Sequence, residues 1–171
     1  MEIKELKQKA YKMFFDIRRE VKDETLLKLY DKAWDALPDY WFTKTASSTG
    51  KYHPRFANGE LGLAKHSLYA SKVWKYLWRG FKQEFNDDEL IYQAGIIGIV
   101  FHDAIKYGDP AENRRYTTNT HPEDAAEWMD ILVKEITNDF PNHERAQDFA
   151  SFCETYICRP IRHHQGPWST Y

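Results

Sequence analysis

At 171 residues and a formal net charge of -2, the chain is long enough to bury one sizeable core and has no global electrostatic pull toward nucleic acid or a membrane surface. Hydrophobic residues are 42% and aromatic residues 16%, which excludes a disordered polymer. The two cysteines, Cys153 and Cys158, make neither a disulfide framework nor a zinc knuckle, and suit core positions in a reduced, cytoplasmic setting.

The N-terminal stretch MEIKELKQKAYKMFF is amphipathic and lacks a signal-peptide apolar core. Ile3, Leu6, Ala10, Phe14 and Ile17 predict a helix over 2–21. A second helix is predicted over 24–36, with Asp23 as N-cap and Pro38 as its stop. Residues 39–61 read as a long loop with room for one short helical turn, the kind of loop that often carries function. Its Tyr40 and Trp41 are candidate interface aromatics.

Helical period returns over 62–82, where Leu63, His66, Ala70, Val73, Trp74 and Leu77 share one face that should point inward. The acidic run Asp87-Asp88-Glu89 suits the positive end of the next helix, expected over 87–105 and containing the apolar run Ala94 to Phe101. A polar loop over 109–120 holds Arg114 and Arg115. A further helix opens at His121 with Thr120 as N-cap and Pro122 in its first turn, burying Ala125, Ala126, Met129, Leu132, Val133 and Ile136. The last helix is expected from 142 to about 157, with Pro160 as its disturbance. No apolar run approaches the length of a membrane span. The expected fold is all-α, a compact bundle of about five or six helices. It forms one domain over 1–171, with N-terminal helical elements over 1–38 and a site-bearing core over 39–171.

The stretch Phe101-His102-Asp103-Ala104-Ile105-Lys106 organises the functional reading. An imidazole and a carboxylate at the end of an apolar segment are both costly to desolvate without partners, and a divalent transition metal accepts nitrogen from one and oxygen from the other. His66, His121, His163 and His164 are the remaining ligand candidates. They come from separate helical segments, as a site inside a helical bundle requires.

The ordered words GLAKHSLYA at 62–70, FHDAIKYG at 101–108, THPEDAAEWM at 120–129 and RPIRHHQGPW at 159–168 resemble the HD-domain superfamily of metal-dependent phosphohydrolases. ASSTGKYHP and NGELGLAKHS resemble the opening of HD domains in some 3′–5′ exoribonucleases. The likeness covers roughly residues 40–168, and the extra histidines resemble the binuclear branch. The resemblance implies a first metal on His66, His102 and Asp103, with Asp103 bridging to a second on His121, His163 and His164. It gives Lys106 a catalytic role beside Asp103, at the substrate phosphate or the attacking hydroxide. The family's ligand set usually ends in a later Asp. No carboxylate follows His164 before Tyr171, so Asp124, Asp148 or a water are the alternatives for that place.

The activity implied is hydrolysis of a phosphate ester of a nucleotide or short oligonucleotide, using one or two divalent ions of Mn, Fe, Co, Ni or Zn. Lys51, His53 and Arg55 in the first loop, interleaved with Tyr52 and Phe56, are candidate substrate-binding residues. Arg114 and Arg115 are candidate phosphate clamps. A 3′–5′ exonuclease or cyclic-nucleotide-type phosphodiesterase and a non-catalytic metal- or nucleotide-binding module are the alternatives. Partners are expected to be a small phosphorylated substrate, without stable duplex binding or membrane association; an oligomer is compatible.

Overall fold

The computed structural model of the chain describes residues 2–47, 54–112 and 114–166. All regular structure among them is helical, as the periodicity predicts. None of the described helices is long and apolar enough to cross a membrane.

Helix α1 (Ile3–Arg18) buries Leu6, Ala10, Phe14 and Ile17. It stops short of the predicted residue 21 because the chain tightens after Arg18, the Glu20 and Val21 amides donating three residues back to Ile17 O and Arg18 O, and the two amides after them leave the helix. Gln93 Oε1 accepts from the backbone N–H of Lys22 at 2.6 Å and Asp23 at 2.8 Å. Asp23 itself caps α2 (Glu24–Asp35), accepting from the Thr25 and Leu26 amides. Within the expected long loop, Asp39–Thr43 forms the short helix α3. Trp41 there is fully buried against Phe14 and Trp34. Tyr40 is turned inward, its hydroxyl donating to Gly108 O. Both aromatics therefore serve the core, contrary to the interface expectation, because the loop folds back over α1 and α4.

Helix α4 (Gly62–Phe81) begins where only glycine fits. A Cβ on Gly62 would lie 2.4 Å from Ala57 O and 2.7 Å from Thr45 Cα. Its buried line runs through Leu63, Ala64, Ser67, Leu68, Ser71 and Trp78. Val73 and Leu77, expected inside, are 55% and 42% exposed. The small residues Ala64, Ser67 and Ser71 form the face toward the core, which rotates Val73 and Leu77 outward.

Helix α5 (Glu89–Phe101) is apolar around most of its circumference and so occupies the middle of the bundle. It touches α2, α4, and the C-terminal helical segment. It starts two residues later than predicted because Asn86 and Asp87 adopt positive φ, leaving Asp88 to cap the Leu90 amide. It ends at Phe101 rather than 105, and residues 102–107 continue as tight turns.

Helix α6 (His121–Thr137) buries the predicted stripe. Thr120 occupies the N-cap position without making the capping bond; its hydroxyl donates instead to Asp124 at 3.0 Å. Helix α7 (His143–Cys153) runs on through a π-turn (Glu154–Cys158) into α8 (Arg159–Arg162). In the π-turn the Arg159 amide reaches back five residues to Glu154 O. This widened turn admits Pro160 without ending the helical path, so the chain stays helical past the predicted stop at 157. Cys153 precedes the turn and Cys158 ends it, both as buried free thiols, the core role expected of them.

Candidate metal centre

Four helical segments converge on one carboxylate. His66 lies in the second turn of α4, His102 and Asp103 follow the last residue of α5, His121 opens α6, and His164 follows α8. The turn carrying Asp103 is held from outside by two tyrosines. Tyr107 donates to Thr45 O at 2.9 Å, and Tyr40 donates to Gly108 O at 2.9 Å and to Ala104 O at 3.3 Å.

Three of the histidines are oriented in the same way. The Nδ1–H of His102 donates to Ile99 O at 2.7 Å, that of His121 to Thr118 O at 2.7 Å, and that of His164 to Ile161 O at 2.6 Å. Each bond reaches back three residues to a carbonyl, which can only accept. Nδ1 must therefore carry the proton, and in the neutral ring Nε2 presents a lone pair. All three Nε2 atoms face Asp103.

Asp103 is 1% exposed and divides its oxygens between two sets of partners. Oδ2 accepts from Lys106 Nζ at 2.5 Å, with His102 Nε2 at 3.4 Å and His66 Nε2 at 3.6 Å. Oδ1 has His121 Nε2 at 3.3 Å and His164 Nε2 at 3.5 Å. No hydrogen bond reaches Oδ1 although it is buried. Burial alone would raise the Asp103 carboxyl; positive charge beside it, on His102 when that ring is protonated and on Lys106, outweighs this and holds the group well below the usual carboxylate range.

These residues fit divalent ions. His66, His102 and Asp103 form one group able to hold an ion; Asp103, His121 and His164 form a second. Bonds of about 2.0–2.1 Å at tetrahedral angles place ligand atoms about 3.4 Å apart. The observed edges, 3.1 Å between the Nε2 atoms of His66 and His102 and 3.3–3.6 Å to Asp103, match that spacing. An orphaned carboxylate oxygen facing imidazole lone pairs is the donor set a cation would complete.

Comparisons with protein-family models, with curated proteins and with solved structures found no match.

The remaining sequence candidates fall elsewhere. His163 is exposed and lies outside both ligand groups. It is one residue from His164, and a one-residue step along a helical turn points it away. Asp124 accepts from Thr118 and Thr120, and Asp148 is exposed on α7, so neither stands with the cluster. Arg55 is exposed on a 3-10 turn (Arg55–Ala57). Arg114 is exposed and paired with Glu112 at 2.5 Å, and Arg115 lies over the Tyr116 ring. Lys51, His53 and Tyr52 lie outside the described residues.

Two features escaped the sequence reading. The Gln165 amide donates to His121 Nε2 at 3.3 Å; it is visible in the word HHQG but carries no periodic signal. The second is a cavity of about 700 Å³ beside the cluster, with Trp74, Gly95 and Tyr156 in its wall. The helical spacing of His66, Ala70 and Trp74 already places those three on one face of α4.

Proposed function

We propose that this chain is a metal-dependent phosphohydrolase of the HD-domain type, cleaving a phosphate ester of a nucleotide or short oligonucleotide. The observation that carries this reading is the division of Asp103: each oxygen serves its own histidine pair, the arrangement expected of a carboxylate bridging two ions. Divalent ions bound there would supply positive charge for the phosphate oxygens and lower the pKa of an attacking water.

The chain's own residues supply the rest. The imidazoles are neutral ligands, and Asp103 and Lys106 cancel in formal charge, so bound divalent ions leave the pocket positive for an anionic substrate. Lys106 is nearly buried and lines the cavity. Asp103 takes one of its three N–H donors, and the others can meet phosphate oxygens as negative charge develops. The carbonyls of Ile99, Thr118 and Ile161 fix the ring orientations, so little reorganisation accompanies the reaction.

The test is release of phosphate, or of p-nitrophenol from a p-nitrophenyl ester, by protein stripped with chelator and reloaded with Mn, Co or Zn. Turnover should depend on the ion and fall by at least 100-fold in His102→Ala and in Asp103→Asn. Full activity in either variant would remove these residues from the reaction.

A further inference from the structure

The cavity is far larger than a phosphate and its ions need. Its volume of about 700 Å³ lies in the range of pockets that enclose whole small molecules. Away from the histidines, Asp103, Lys106 and Gln165, its wall is largely apolar, made by Ala70 and Trp74 of α4, Ile99 of α5, Tyr156 of the π-turn and Ile161 of α8. Asp103 and Lys106 are its only formally charged lining residues among those described, apart from the histidines.

Two sequence features create this wall. A Cβ on Gly95 would come within 2.4–2.5 Å of two ring atoms of Trp74, so glycine lets the indole lie directly on the α5 backbone. The Trp74 Nε1–H is satisfied by Tyr92 O at 3.1 Å, which fixes the ring and leaves its apolar surface to the cavity. On the opposite side the π-turn carries Tyr156 into the lining, a use often made of such turns at functional sites.

We propose that this cavity receives the organic group of the phosphate ester, and that the group is a planar ring system recognised by burial and stacking rather than by hydrogen bonds. This rests on the phosphohydrolase reading for the phosphate end. A polyol would bring more hydroxyls than Lys106, Gln165 and Tyr156 can satisfy, and the rest would lose their hydration without replacement. A nucleobase or a plainer aryl group offers the flat face that indole and phenol rings accept.

The deciding measurement is equilibrium binding to the metal-loaded full chain, by calorimetry, of three non-hydrolysable probes: 1-naphthylphosphonate, a nucleoside 5′-phosphonate and methylphosphonate. At least one ring-bearing probe should bind tenfold or more tightly than methylphosphonate. The tighter of the two identifies the kind of ring. Gly98→Leu should abolish the advantage with metal content unchanged. A Cβ there meets nothing nearer than Ile157 O at 3.8 Å, so the backbone accepts a side chain at this position, and the metal content of the variant shows whether the ligands are undisturbed. Ala70→Leu, from the facing helix, should act likewise and stands in if the first variant does not fold. Equal affinity for all three probes overturns the proposal, as does a ring preference that survives both substitutions. Ring preference without turnover of any ester would sink the hydrolase reading alone; turnover without ring preference would sink only this one.

Discussion

The Nε2 atoms of His66 and His102 lie 3.1 Å apart. His102 has its proton on Nδ1, held by Ile99 O, so its lone pair points at the facing ring. A cation held there would take both nitrogens as ligands, with Asp103 Oδ2 as the third donor. The second triangle uses Oδ1 with His121 and His164. Calorimetric titration of chelator-treated protein with Mn or Co should therefore find two ions per chain. His66→Ala and His164→Ala should each retain one, and Asp103→Ala should bind both poorly. Two ions bound by His66→Ala would refute the separate-triangle assignment.

Gln165 should matter to the second triangle only. Its amide donates to the lone pair of His121 that an ion would take. On metal binding the amide must turn, and its oxygen then becomes available to the ion. Gln165→Leu is expected to weaken the second ion by about tenfold, the usual effect of losing a supporting group, and to leave the first unchanged. Gln165→Glu should tighten it by adding charge. Unchanged or tighter binding in Gln165→Leu would show the amide to be a competitor rather than a support.

Much of this arrangement was legible in the sequence, for identifiable reasons. The apolar run from Ala94 to Phe101 belonged to a predicted helix over 87–105, and the ordered histidine words named His66, His102, Asp103, His121 and His164 together with His163. What escaped depends on rotation and register. His163 and His164 are equivalent in composition, and only the turn after α8 decides which faces Asp103. Val73 and Leu77 fit an apolar stripe, but the small residues of α4 set a different contact line. Trp41 looked available because a loop was expected, whereas α3 folds it into the core. The cavity arises from Gly95, Trp74 and a π-turn acting together, a combination no local pattern announces.

The turn bearing Asp103 should loosen when its outer tie is cut. Burial pushes the Tyr40 hydroxyl up from its ordinary pKa, so it remains a donor at any working pH. It holds the carbonyls of Ala104 and Gly108, which flank Lys106. Tyr40→Phe removes those bonds and leaves the ring packing against Tyr107. A loss of about 1 kcal/mol corresponds to a fall in Tm of roughly 2–4 °C for a chain of this size. Metal affinity should drop in the same variant. Loss of stability with metal affinity intact would show that the turn keeps its shape without the tie.

Glu20 offers a test of the scaffold that is independent of the metal residues. It joins three elements beyond the end of α1: its carboxylate takes Lys75 of α4 and the hydroxyl of Tyr92 of α5. Partial burial pushes its carboxyl up, but Lys75 and Tyr92 outweigh this, and the group sits below its ordinary value. A carboxyl whose folded pKa is depressed stabilises the fold above its unfolded pKa, about 4.3 for Glu. That contribution is lost as pH falls through the folded value. The side chain is 29% exposed, so solvent screening limits the contribution to about 1 kcal/mol. In urea unfolding with chelator present, Glu20→Gln should be less stable than the parent by about that amount at pH 7. The gap should close at acid pH, once the parent carboxyl is protonated as well. The histidine–aspartate cluster titrates in both proteins and cancels from the difference. A gap of the same size at both ends of the pH range would mean that shape rather than charge holds this junction.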